Sequence, residues 1–209
     1  MVIKWVIFDA MGVIYEVADD VSDLLVPFLR SKNNILPLKA IFELYIKASL
    51  GHITPPEFWN LLGHSSEYPE IEKEFLDNWY TFDIEFLEVA KNLKQKKYKI
   101  AMLSNDLKKW SNFLRRKFKI NQLFDTTIIS GEVGYRKPDN RIYEILIDKT
   151  QSLAEECLFI DDKLENLHTA SKLGIKTIKF IRNIEKIPFC SEFEISSFKE
   201  LIPVLENYY

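Results

Sequence analysis

Five polar residues in this chain matter for where they fall. Asp9 follows the apolar run Trp5-Val6-Ile7-Phe8, Ser104-Asn105 follows Ile100-Ala101-Met102-Leu103, and Asp161-Asp162 follows Cys157-Leu158-Phe159-Ile160. Each run has the length and composition of a buried strand. In an open parallel sheet, ligands bind outside the carboxyl ends of the strands. Carboxylates, a hydroxyl and an amide from three distant parts of the chain would then meet in one crevice. For any single strand, a Ser, Asn or Asp at the end is well explained as a cap for the next helix. Three strands ending this way, two of them in acid, point instead to a ligand site.

The rest of the chain supplies the elements such a crevice needs. From residue 83 onward strand and helix alternate. A helix at about 83–97 precedes the strand 98–103, and a basic amphipathic helix follows at about 106–118. Next come a short strand at Thr126–Ile129, a loop through Gly131 and Gly134, and a helix at about 139–149. After the strand Cys157–Ile160, a helix at about 163–173 stops at Gly174, a strand covers Lys176–Ile181, and a helix near 196–207 closes the chain. Residues 19–80 read as helical throughout, and Thr54-Pro55-Pro56-Glu57 has the pattern of a capping box with Pro in the first turn. The expected fold is α/β: a Rossmann-like parallel sheet flanked by helices, with an all-helical cap inserted after strand 1. The sheet domain comprises residues 1–15 and 83–209, and the cap residues 16–82.

Composition narrows the function classes. In 209 residues, Lys+Arg is 28 and Asp+Glu 31, a net charge of −3, which argues against nucleic-acid binding by bulk positive charge. The N-terminal apolar run is cut by Asp9, too short for a signal core or a membrane span. Cys157 and Cys190, isolated in sequence, form neither a disulfide framework nor a zinc spacing, so a cytoplasmic location is expected. His52, His64 and His168 lack metal-ligand spacing. Glu67, Glu70, Glu72 and Glu74 read as helix surface. Lys108, Lys109, Arg115, Arg116 and Lys117 read as a solvated face over a buried stripe.

Four motifs, in order, resemble those of the haloacid dehalogenase-like (HAD) hydrolase superfamily. They are Phe8-Asp9-Ala10-Met11-Gly12-Val13; Leu103-Ser104-Asn105; Gly134-Tyr135-Arg136-Lys137-Pro138-Asp139 with Ile142-Tyr143; and Phe159-Ile160-Asp161-Asp162 continuing through Asn166, Ala170 and Gly174. The helical insert lies where the subclass with a small helical cap carries it. The resemblance implies a set of roles. Asp9 is the nucleophile, attacking phosphorus or carbon to form a covalent intermediate that water releases. Ser104 and Asn105 bind the substrate's phosphate or carboxylate, and Lys137 neutralises nucleophile and substrate. Mg²⁺ is held by Asp162, Asp9 and the Met11 backbone carbonyl, with Asp161 assisting. The charges of Asp9, Asp161, Asp162 and Lys137 leave −2, which would repel a phosphate without a divalent ion. The substrate would be a small phosphorylated molecule.

One position departs from the pattern. Phosphatases of the superfamily carry an acid two residues after the nucleophile, which protonates the leaving oxygen and then activates water; here that residue is Met11. General acid–base catalysis contributes roughly 10²–10⁴-fold, so ordinary alkyl monoesters are expected to be poor substrates if nothing replaces it. Two alternatives remain open on sequence. One is a dehalogenase- or phosphonatase-like enzyme cleaving C–X or C–P bonds, the latter with Lys39 or Lys47 as a cap Schiff-base lysine. The other is a catalytically silent binding protein on the same fold.

Overall fold

A computed structural model describes residues 2–182 and 193–208; Cys190 lies outside the described residues. Six strands form one sheet: β1 (Trp5–Phe8), β2 (Lys99–Ser104), β3 (Thr126–Ile129), β4 (Cys157–Asp161), β5 (Lys176–Phe180) and β6 (Phe193–Ile195). Their order is β3-β2-β1-β4-β5-β6, and every neighbouring pair runs parallel. The strands that read as continuous apolar runs, β1, β2 and β4, occupy the centre, where helices cover both faces. Phe8 lies opposite Met102 on one side and Ile160 on the other, so the three polar strand ends emerge side by side. β6, three residues long, was not expected from the sequence.

The insert carries a π-helical segment, Asp20–Leu25, then α1 (Val26–Ser31), α2 (Leu38–Ser49), α3 (Pro55–Leu61) and α4 (Glu70–Asn78). The capping box at Thr54 forms as the sequence predicts: Thr54 N donates to Glu57 Oε2 at 2.7 Å. The sheet's helices are α5 (Glu85–Gln95), α6 (Lys108–Lys117), α7 (Ser130–Val133), α8 (Asn140–Thr150), α9 (Leu164–Lys172) and α10 (Leu201–Tyr208). A single hydrophobic cluster runs from β1 and β2 through α5 and α6 into the insert, where Phe28, Trp59 and Phe75 pack with Trp110. A smaller cluster covers the opposite face beneath α8 and α9.

Several charged side chains do not lie where helix periodicity put them. Glu72 is buried, not surface: its Oε2 accepts from the indole N–H groups of Trp59 (3.1 Å) and Trp110 (2.8 Å), and Oε1 pairs with Lys109 at 2.6 Å. Glu67, Glu70 and Glu74 are exposed as expected. Arg115 is also buried, its Nε donating to Asn121 Oδ1 at 3.1 Å and Nη2 to Asn112 Oδ1 at 2.6 Å. Lys117 donates to the carbonyls of Leu76 and Asp77. Lys109 and Lys117 of the basic helix α6 thus fasten the insert to the sheet domain. His64, the buried histidine of the three, bonds Glu67 at 2.7 Å. Replacing Glu72 with alanine strands two buried indole N–H groups, and an unsatisfied buried donor costs about 1–3 kcal/mol. We expect Glu72→Ala to lose about 2–4 kcal/mol of stability, read by urea unfolding. A loss near zero would mean that water re-enters and solvates both indoles.

Candidate active site

The parallel register builds the site. Asp9 N donates to Ile160 O at 2.9 Å, extending the β1–β4 ladder by one residue and setting Asp9 beside Asp161. Lys137, buried in the loop before α8, bridges them: its Nζ lies 2.7 Å from Asp9 Oδ1 and 2.7 Å from Asp161 Oδ2. Asn105 holds that lysine in place through the backbone. Its Oδ1 accepts from Lys137 N at 2.8 Å and its Nδ2 donates to Lys137 O at 2.9 Å. The next residue is tied down as well, Asp106 N donating to Ser130 Oγ at 2.9 Å. The Asn105 side chain, expected from the sequence to contact substrate, is thus bonded to the Lys137 backbone. Ser104 is buried at the end of β2, and its Oγ has no partner among the described residues.

The two acids after β4 differ in their surroundings. Asp161 is saturated: besides Lys137, it accepts from Lys163 N at 2.7 Å and from Asn166 Nδ2 at 3.1 and 3.0 Å. Tyr143 donates to the Asn166 carbonyl at 2.9 Å and steadies that arm. Asp162 Oδ1, by contrast, is buried with no partner among the described residues. Its carboxyl lies against Gly12, whose φ of +75° suits glycine, and a Cβ there would stand 2.5 Å from Asp162 Oδ2. Asp9, Asp161 and Asp162 offer oxygens all within 4.8 Å of one another.

The electrostatics follow from this crowding. Burial, and then the charge of Asp161, hold the Asp9 carboxyl well above the usual range against the pull of Lys137. The same two causes push Asp162 up to about 7. Burial alone would depress Lys137, but Asp161 and Asp9 outweigh it and keep the ammonium charged. Even with Lys163 adding its charge beside Asp162, three carboxylates against Lys137 and Lys163 are under-compensated without a further cation. An orphaned buried carboxylate oxygen, two more hard oxygens beside it and a cradle that excludes a Cβ fit a divalent ion.

The Met11 side chain lies in the hydrophobic cluster, 6% exposed, and carries no acid or base to the crevice. Lys39 and Lys47 sit on the outer face of α2: Lys39 is 88% exposed and pairs loosely with Glu43, and Lys47 is likewise exposed. Neither is placed to act as an electrophile-forming amine in the crevice. The sequence reading also missed polar groups beside the site. Asp106 is buried immediately after Asn105, and extending the polar run Ser104-Asn105 by one residue would have found it. Asp20, Tyr45 and Tyr80 gather on the insert side, where no local pattern marks them, and Arg136 of the third motif reaches over to Tyr45.

Comparison with known proteins agrees with this geometry. The pattern of the haloacid dehalogenase-like hydrolases matches residues 3–174. The chain is 24% identical to D-ribitol-5-phosphate phosphatase of Bacteroides thetaiotaomicron, covering 85% of this chain and 91% of that protein. It is 28% identical to drimenol cyclase of Aspergillus calidoustus over 68% of this chain, but spans just 28% of that protein's length. A mutant HAD family enzyme from Bacteroides thetaiotaomicron, solved in complex with magnesium and inorganic phosphate, superposes with a TM-score of 0.71 at 22% identity, covering 85% of this chain and 93% of that one. With a match over most of its length, the chain belongs to the haloacid dehalogenase-like hydrolases.

Proposed function

We propose that this hydrolase cleaves phosphate monoesters of small molecules, with Asp9 as nucleophile and Mg²⁺ held by Asp9, Asp162 and the Met11 backbone carbonyl. The observation that carries the reading is the contrast between Asp161, the last residue of β4, and Asp162, the first beyond it. Asp161 is fully bonded by protein, and Asp162 beside it keeps a buried oxygen free. An uncompensated carboxylate suits a cation and has no use in a metal-free dehalogenase. A neighbour of this fold crystallised with magnesium and phosphate supports the same choice, as does the name D-ribitol-5-phosphate phosphatase carried by a relative from the same organism.

The bound ion would offset negative charge on the phosphoryl oxygens and draw them toward Asp9. The protein's own groups do the rest. Asp9 Oδ1 is pinned by Lys137 and by Ala10 N at 2.6 Å, which leaves Oδ2 for in-line attack on phosphorus. The Ser104 hydroxyl is available to a phosphoryl oxygen, and Lys137 screens the nucleophile from the incoming dianion. The result is an aspartyl-phosphate and a departing alcohol, and water then releases inorganic phosphate. The helical insert, residues 16–82, serves as the cap that faces the alcohol.

The experiment is hydrolysis of p-nitrophenyl phosphate with and without Mg²⁺, beside 2-chloropropionate and phosphonoacetaldehyde. Mg²⁺-dependent release of phosphate supports the reading; halide release or C–P cleavage in its place overturns it. Calorimetry tests the metal separately. Mg²⁺ should bind the wild type and bind at least tenfold more weakly to Asp162→Asn. Gly12→Ala should weaken binding as well, because the left-handed backbone disfavours alanine by roughly 1–2 kcal/mol and the new Cβ drives into the Asp162 carboxyl. Unchanged affinity in both variants would place the metal elsewhere.

A further inference from the structure

We propose that Asp20, on the insert, is the general acid–base of this enzyme, supplying from the cap the proton that Met11 cannot. The inference rests on the phosphohydrolase reading above. Asp20 opens the π-helical segment, and its neighbour Asp19 performs the capping, accepting from Val21 N at 3.0 Å and Ser22 N at 2.9 Å. Asp20 is thereby left free of any capping duty. It is half-buried and accepts a hydrogen bond from the Tyr45 hydroxyl of α2. The same hydroxyl lies 3.3 Å from the backbone carbonyl of Asn105, the residue that follows Ser104 and clamps Lys137. One phenol oxygen thus links the Asp20 carboxyl to the loop that flanks the nucleophile. Lys163, next to Asp162, feels Asp9 and Asp162 on the sheet side and Asp20 and Asp19 on the insert side. Lys163 thus stands between a pair of acids from the sheet and a pair from the insert, and of the insert pair Asp20 is the one with no capping duty.

The environment suits a proton that must come and go near neutrality. Burial pushes the Asp20 carboxyl up to about 6, opposed by Tyr45, Lys163 and Arg136 and assisted by Asp19. Asp106 and Tyr80 face it from the β2 loop and the insert's end. Tyr45 can satisfy both protonation states. It donates to the carboxylate; when Asp20 is protonated it accepts from the acid and turns its own proton to the Asn105 carbonyl. In the first step the Asp9–phosphorus bond forms, the phosphorus–alcohol bond breaks, and the Asp20 proton moves to the departing oxygen. In the second, water attacks phosphorus, the Asp9–phosphorus bond breaks, and Asp20 recovers a proton from that water. Inorganic phosphate leaves with both residues restored.

Benzyl and p-nitrophenyl phosphate test this, being alike in size and unlike in their need for a proton. Asp20→Asn should lower kcat/KM on benzyl phosphate by roughly 10²–10⁴-fold and on p-nitrophenyl phosphate by no more than about tenfold. Adding Met11→Asp to Asp20→Asn should recover benzyl phosphate turnover, since the acid returns at the family position. Tyr45→Phe removes a hydrogen bond to the charged form, so the limb along which benzyl phosphate turnover falls with rising pH should move to higher pH. Comparing both proteins on one substrate cancels the substrate's own ionisation. Equal losses on both substrates, no loss, or an unmoved limb in Tyr45→Phe overturn the role of Asp20 while leaving the phosphohydrolase intact. If Asp20→Asn does not fold, by thermal unfolding, the Tyr45→Phe limb decides alone. A wild type inert toward both esters overturns the phosphohydrolase reading itself, and this one with it.

Discussion

Asp9→Asn is expected to remove turnover by at least roughly 10⁴-fold, in line with what loss of a covalent nucleophile costs elsewhere, with little loss of fold. The substitution is isosteric. The amide oxygen can still accept from Lys137 and Ala10 N, the two contacts that Asp9 Oδ1 makes. What disappears is the anionic oxygen that would bond phosphorus. The variant should also relieve crowding, since one of three carboxylates within 4.8 Å loses its charge. Its melting temperature should therefore equal or exceed that of the wild type. Rapid quench with radiolabelled substrate should trap a labelled wild-type protein and an unlabelled variant. A variant that keeps a tenth of the activity would show that another group attacks.

Lys137→Met should have the largest effect on stability. Its ammonium is buried and holds Asp9 and Asp161 together at 2.7 Å each. Removing one partner of a buried ion pair leaves an uncompensated charge and costs about 3–5 kcal/mol. In a protein of this size that is a fall of roughly 6–20 °C in Tm. The sign of the pH dependence follows from the direction of the shift. Asp9 already titrates above the ordinary carboxylate value, and losing the neighbouring cation raises it further. A carboxyl whose pKa is higher folded than unfolded contributes stability at low pH that is lost as pH rises through the folded value. The Tm gap between wild type and Lys137→Met should therefore be smallest near pH 5 and widen toward pH 8. A gap constant across that range would mean that the ammonium acts through the Phe159 ring, 5.2 Å away, and not through the carboxylates.

The strand ends were legible because two independent signals coincide there. An apolar run long enough for a buried strand stops at a polar residue, and parallel strands share one end. Asp9, Ser104 and Asp161 needed nothing more. The motif resemblance added Lys137, whose loop has no period of its own. Asn105 was found, but its grip on the Lys137 backbone was not, because a side chain that grips a backbone and one that grips a ligand are the same residue in a sequence. Glu72 and Arg115 were misplaced for a different reason. Periodicity sends charge to solvent, and the groups that make their burial tolerable, Trp59, Trp110 and Asn121, come from other elements or beyond the helix end. The same holds for Asp20 and Tyr45, 25 positions apart. Their meeting depends on how the π-helical segment packs against α2, which no local pattern records.

The double grip of Asn105 on Lys137 bears on how this molecule would age. Asparagine side chains deamidate when the following backbone nitrogen attacks the side-chain amide carbon, leaving aspartate. At position 105 the product would keep an acceptor for Lys137 N but lose the donor to the Lys137 carbonyl. It would also add a negative charge to a site already short of cations. One spontaneous lesion would thus loosen the lysine from the chain side while pulling at its ammonium from a new direction. The fold guards against it: the attacking nitrogen would be that of Asp106, which is committed to Ser130 Oγ, and both ends of the amide are occupied. Folded protein should therefore hold Asn105 intact in storage, and intact-mass and peptide mapping should find the modification in unfolded material first.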